Sequence, residues 1–198
     1  MLCTREQVSI LASGTGSNAD RLCTRFSHHP SVRIQLIACD RETAGVYEVA
    51  RRHHLPCHHL PAELRKDPDA LLQFFRDQGI TFIVLAGYLR LIPAQVIAAY
   101  PGRIINLHPS LLPKYGGKGM HGMHVHEAVF AAREAETGIT IHHVNAHYDE
   151  GAVIAQFKTK IESGDSPKRI AEKVAALEAA HFTDTVEQVI LHLQEKVG

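Results

Sequence analysis

Neither sign of charge prevails in this sequence: Lys plus Arg and Asp plus Glu number 21 each. No global field therefore draws the chain to nucleic acid or to an anionic membrane, and any phosphate it binds must be held locally. No window approaches the roughly 18 consecutive apolar residues of a membrane span, and Met1 to Gln7 lacks the apolar core of a signal peptide. These two absences point to the cytoplasm. The four cysteines, at positions 3, 23, 39 and 57, lack the close pairing of a zinc or redox motif and read as reduced thiols, with Cys39 buried. Fifteen histidines cluster in His53-His54-Leu55-Pro56-Cys57-His58-His59 and His121-Gly122-Met123-His124-Val125-His126. Neither cluster has Cys2His2 spacing or a His-Glu-x-x-His helix, so no metal site is expected. No internal repeat is evident.

What the chain does have is an ordinary globular composition, 45% hydrophobic and 21% charged over 198 residues, which suits one domain over residues 1–198 with a sizeable core. Strand-like and helical stretches alternate. Gln7 to Ala12 is a short apolar run suited to a buried parallel strand, and it enters Ser13-Gly14-Thr15-Gly16-Ser17-Asn18 before a helical stretch from Ala19 to Phe26. A glycine loop between a strand and a helix amino terminus offers backbone N–H groups and the positive end of the helix dipole, which makes an anion site; a plain turn would also use glycine. Gly14 to Ala19 further fits the relaxed dinucleotide fingerprint. Asp40 ends the next strand, Val32 to Cys39, about 20 residues on, where a ribose-binding acid belongs. Alone, that would suggest an NAD-binding module.

Ala44 to His53 reads as helix, Cys57 to Leu60 as a short strand, and Asp67-Pro68 as the N-cap and first position of a helix that Gly79 stops. Thr81 to Ala86 is a continuous apolar run, hence a central parallel strand that delivers Gly87-Tyr88-Leu89-Arg90-Leu91-Ile92 at its carboxyl end, where ligands of open α/β sheets bind. Gly102 to Ile105 leads into Asn106-Leu107-His108-Pro109-Ser110-Leu111-Leu112-Pro113. Residues two apart on a strand share a face, so Asn106 and His108 can serve one pocket, and the two prolines make the loop after the strand stiff. An amide donor beside a titratable ring suits oxyanion stabilisation and proton movement.

That octet resembles the signature of the folate-dependent formyltransferases of purine synthesis. The similarity extends from Gln7 to the last helix. It implies an open, doubly wound, mostly parallel Rossmann-like α/β sheet, with an antiparallel edge strand over Ala152 to Lys160 and a long C-terminal helix from Pro167 to about Glu195. The implied reaction moves a formyl group from 10-formyltetrahydrofolate, a co-substrate, to the amine of 5'-phosphoribosylglycinamide, with small-molecule partners only, no metal, no nucleic acid and no membrane, in a monomer or weak homodimer.

On this resemblance Asn106, His108 and Asp149 form the catalytic group. Asp149 is taken from Tyr148-Asp149-Glu150-Gly151 by matched register, with Glu150 as its neighbour. Gly16, Ser17 and Asn18 would hold the nucleotide phosphate and Glu178 the ribose hydroxyls, with Lys173 a weaker candidate for a charge nearby. Leu89, Arg90, Leu91, Ile92 and Asn106 would line the folate site, with Arg65 as its arginine in an uncertain register. Formyltetrahydrofolate hydrolase, or another formyl acceptor, is the alternative within the family. The sequence departs from the usual family form after Lys114-Tyr115: Gly116 to His126 is several residues longer and carries four glycines, at 116, 117, 119 and 122. It reads either as a segment beside the catalytic strand that acts as a lid or reshapes the substrate pocket, or as a tolerated surface insertion, with His124 and His126 as the surviving family histidines.

Overall fold

The structure, a computed structural model, describes residues 5–195, so Cys3 and the start of the Met1 to Gln7 segment lie outside the described residues. In chain order the elements are β1 (Glu6–Ala12), α1 (Ser17–Phe26), β2 (Val32–Cys39), α2 (Val46–Arg52), β3 (Cys57–His59), α3 (Ala62–Lys66), α4 (Pro68–Asp77), β4 (Phe82–Leu85), α5 (Ala94–Ala99), β5 (Ile104–His108), α6 (Met123–Ala131), β6 (Glu136–His143), β7 (Val153–Lys160) and α7 (Pro167–Glu195). The apolar runs become the centre of a seven-stranded sheet of order β3-β2-β1-β4-β5-β6-β7. β1 to β5 pair in parallel, as buried aliphatic runs flanked by helices require.

The sheet separates two cores. Val8, Ile10 and Ala12 of β1 face one side with Leu22 of α1 and Phe182 and Val186 of α7. Leu11 faces the other with Leu71 and Phe75 of α4 and Val96 of α5. Phe75, Phe82 and Phe182 are fully buried, each contributing about 1.5–3 kcal/mol by leaving water. The Asp67 carboxylate accepts from the Ala70 N–H, capping α4, and the Ser166 hydroxyl accepts from the Arg169 N–H to start the 29-residue α7.

Two features go beyond the sequence reading. α3 is a five-residue helix entered from Pro61, too short to show a period. At the edge, β7 pairs antiparallel with β6, and β6 is itself reversed against β5. The reversed strand is thus the penultimate one, and its register sets His142 directly across from Asn106. Strand order reverses between β1 and β4, so the loops after Ala12 and Leu85 diverge and leave a crevice at their carboxyl ends.

Candidate active site

That crevice is a cleft of about 630 Å³. Its walls are the Gly14 to Asn18 loop, the Ala86 to Arg90 loop, the end of β5, the Gly117 to Gly122 segment, Tyr148-Asp149 and the Ala171 to Glu178 side of α7. The first loop is tied to the second: Ser13 donates its N–H to the Gly87 carbonyl, and the Leu89 N–H donates to the Ser13 hydroxyl, both at 3.0 Å. Gly16 takes φ +83 and lies so close to α2 that an added Cβ would stand 2.7 Å from Val46 Cγ2. Glycine is needed on both counts. It caps α1 without any side-chain bond, so the first turn of the helix, which lines the cleft, keeps backbone N–H groups that can receive an anion.

Beside this loop, Asn18 Nδ2 donates to Glu178 Oε2 at 2.8 Å, joining α1 to α7. Burial raises the Glu178 pKa, and the Asn18 bond and nearby Arg21 offset part of that. Lys173 turns elsewhere, onto Asp165 and the Lys160 carbonyl.

The Asp40 side chain is fully buried and pairs with Arg90 at 2.6 Å. Burial raises its pKa, but the Ser13 hydroxyl, Arg90 and the more distant Arg65 outweigh that and hold it below the usual carboxylate range. The carboxylate that a dinucleotide reading needs for a ribose is therefore already committed to an arginine. Leu89 and Arg90 line the cleft. Leu91 is 46% exposed and Ile92 sits in the core beneath the sheet, so neither side chain reaches the cleft and any contact from them uses the backbone. Arg65 donates from Nε to the Leu60 carbonyl at 2.9 Å and also lies outside the cleft lining.

At the other wall, Asn106 and His108 converge on one carboxylate. Asn106 Nδ2 lies 3.3 Å from Asp149 Oδ1 and His108 Nδ1 3.4 Å from Asp149 Oδ2. Asp149 adopts φ +57, a left-handed conformation that costs an ordinary residue energy and that the surroundings here impose. Burial opposes its charge, but His142, His108 and the Gly117 N–H at 2.9 Å keep its pKa low. His108 is 3% exposed. Burial lowers its pKa more than Asp149 and the Tyr115 carbonyl raise it. Its Nε2 donates to that carbonyl at 2.7 Å, which leaves Nδ1 facing the acid.

Three participants escaped the sequence reading. His142 Nε2 lies 3.1 Å from Asn106 Nδ2 and its Nδ1 2.9 Å from the His143 carbonyl. The ring thus meets the Asn106 amide, the His143 carbonyl and, 3.6 Å from its Nε2, Asp149 Oδ1, which ties Asn106 and Asp149 to one neighbour. The other two are the Tyr115 carbonyl, just before the long segment, and the Gly117 N–H within it. The Gly117 N–H of that segment holds Asp149, and its residues 117–122 line the cleft. His126 also lines it, 6% exposed, with Nδ1 lacking a partner among the described residues; His124 is exposed. The first histidine cluster is dispersed, with His53 on Asp20 at 2.7 Å and His58 edge-on to Phe74. Among the described residues no group of three or more His, Cys, Asp or Glu is arranged to hold a metal ion, and no helix is long and apolar enough to cross a membrane.

An open α/β sheet with an anion loop and an amide–imidazole–carboxylate cluster at its switch point defines a class of small-molecule group-transfer proteins. Comparison narrows it. A family profile described as formyl transferase matches residues 6–186, and the chain belongs to that family. It is 35% identical over 190 residues to the chloroplastic phosphoribosylglycinamide formyltransferase of Arabidopsis thaliana, covering 92% of this chain and 64% of that protein. It is 31% identical to the phosphoribosylglycinamide formyltransferase of Bacillus subtilis, covering 93% of this chain and 95% of the relative. The crystal structure of the protein of that name from Bacillus halodurans superposes with a TM-score of 0.83 at 32% identity, over 93% of this chain and 95% of that one. The chain spans less than two thirds of the two plant relatives, 64% of the Arabidopsis protein and 60% of the Vigna unguiculata one.

Proposed function

We propose that this chain, as a single formyltransferase domain, transfers the formyl group of 10-formyltetrahydrofolate to the amine of 5'-phosphoribosylglycinamide in purine biosynthesis. The observation that carries the proposal is the meeting of Asn106 and His108 on Asp149 in the same cleft as an uncapped α1 amino terminus. The two ends of the cleft suit the two demands of the reaction, an anchored phosphate and a polarised formyl oxygen.

The free amine attacks the formyl carbon, and charge develops on the formyl oxygen. Donors from Asn106 and His108 stabilise that oxygen, displacing some of the bonds these groups make in the unliganded cleft. Asp149 orients His108, favours its imidazolium as the oxyanion forms, and holds a water that carries the proton from the amine toward the departing folate nitrogen. Collapse breaks the bond to that nitrogen and releases tetrahydrofolate. Gly16, Ser17 and Asn18 hold the phosphate, Glu178 the ribose hydroxyls, and the 89–92 segment the pterin edge, through backbone groups at Leu91 and Ile92.

Purified protein mixed with both substrates, with folate product followed by absorbance, tests this. Turnover should depend on 5'-phosphoribosylglycinamide and fall roughly a hundredfold or more in His108→Ala. Formyl loss indifferent to the nucleotide would instead indicate a hydrolase or another acceptor.

A further inference from the structure

A phosphate monoester brings nearly two negative charges into a cleft whose lining already contains the carboxylates of Asp149 and Glu178. Backbone N–H groups at the end of α1 offset only part of that, since a helix terminus carries about half an elementary charge. Among the cleft-lining residues two side chains are permanently cationic, Arg90 and Lys118. Arg90 is bound to the buried Asp40. Lys118 makes no ion pair among the described residues and its side chain is exposed.

We propose that Lys118 is the side chain that supplies positive charge to the nucleotide phosphate held at Gly14 to Asn18, and so is a substrate-specificity residue carried by the long segment after the octet. The inference rests on the function proposed above. The local backbone suits it. Gly117 and Gly119 flank Lys118 with φ +94 and +90, and an added Cβ at either would meet nothing within 4 Å, so the lysine sits on an open glycine turn that lines the cleft. Its neighbour Gly117 bonds Asp149. Capture of the phosphate by Lys118 therefore settles the same stretch of backbone that holds the catalytic carboxylate.

Lys118→Met keeps an unbranched apolar side chain of similar length and removes the charge. Steady-state kinetics of the full chain should show the KM for 5'-phosphoribosylglycinamide raised about tenfold, the size of one lost charge-assisted contact, with the KM for 10-formyltetrahydrofolate unmoved and Lys118→Arg restoring most of the loss. The phosphate-free riboside analogue should be used equally poorly by the parent and by Lys118→Met, a readout that a merely structural role would not give. Inorganic phosphate, measured by direct titration, should bind the variant about tenfold more weakly. An unchanged nucleotide KM would overturn the proposal, as would a rise confined to the folate, which would put Lys118 against the folate carboxylates instead. Should the parent protein show no nucleotide-dependent turnover, the functional reading fails by itself, and the phosphate titration then decides on Lys118 alone.

Discussion

His108 Nδ1 stands 3.4 Å from Asp149 Oδ2, while the other nitrogen of the ring is held by the Tyr115 carbonyl at 2.7 Å. With Nε2 protonated to satisfy the carbonyl, a neutral ring would turn its Nδ1 lone pair toward a carboxylate. The contact favours the imidazolium, and burial disfavours it more. Burial and Asp149 thus pull the ring in opposite directions, and Asp149 is the partner that favours its second proton. Asp149→Asn removes the attraction and leaves the burial, so the His108 pKa should fall further below 6.5. An NMR titration of the ring signals in parent and variant measures this directly; a higher pKa in Asp149→Asn would show that another group governs the ring. Transfer activity should fall about a hundredfold as well.

Much of this geometry could be read along the chain and some of it could not. Local signals found the strands, the loop ending at Gly16, the Asp67 cap and the shared face of Asn106 and His108, because each depends on residues close in sequence. His142 is different. Its place opposite Asn106 follows from an antiparallel register between β5 and β6, set by pairing across a connection of 27 residues, 109–135. The Tyr115 carbonyl and the Gly117 N–H act through backbone, and no side-chain pattern announces them. Register alone places Arg65 and Ile92, and the fold decides where their side chains go: the short α3 turns Arg65 onto the Leu60 carbonyl, and packing against α5 draws the Ile92 side chain into the core.

Acid should weaken the fold well before the carboxylates titrate. Burial lowers the pKa of His108, His126 and His143, so the folded chain keeps them neutral where the unfolded chain, with ordinary imidazoles near 6.5, takes up protons. Stability therefore falls as pH drops below about 6.5, by about 1.4 kcal/mol per pH unit for each proton the unfolded state gains. Asp149 and Asp40, with lowered pKa values, add their losses as pH falls through the ordinary carboxylate range and below it. Urea midpoints should be lower at about pH 5.5 than at about pH 7.5. Equal midpoints would mean that these histidines titrate normally in the folded protein.

Gly151 closes the β6–β7 turn immediately after the loop that carries Asp149. A Cβ there would lie 1.6 Å from the His143 carbonyl oxygen and 3.4 Å from His142 Nδ1, a collision with backbone that no rotamer relieves. Gly151→Ala should cost about 3 kcal/mol or more and lower Tm by roughly 6–12 °C. Because the displaced carbonyl is the one that orients His142, activity should drop beyond what instability explains. Gly164→Ala, with nothing within 4 Å and no positive φ, is the control and should stay within about 0.5 kcal/mol of the parent. Thermal melts of the two variants side by side check the contrast.

Glu178 poses a choice between stability and binding. It is half-buried on the cleft wall, and its pKa is raised by desolvation despite the Asn18 bond and nearby Arg21. A carboxyl group with a raised pKa is more costly to keep charged when folded than when unfolded, so at pH 7 the charge works against the fold. Glu178→Gln preserves the shape and can still accept from Asn18 through its amide oxygen. It should leave the protein as stable or more so, by up to about 1 kcal/mol, a Tm gain of roughly 2–4 °C. The same change loses the negative charge proposed to accept from the ribose hydroxyls, so the KM for 5'-phosphoribosylglycinamide should rise about tenfold, with the folate KM unaffected. A melt and a KM measurement on one preparation decide the matter. A variant that is less stable and binds the nucleotide normally would make Glu178 a structural tie between α1 and α7, and the ribose assignment would be withdrawn.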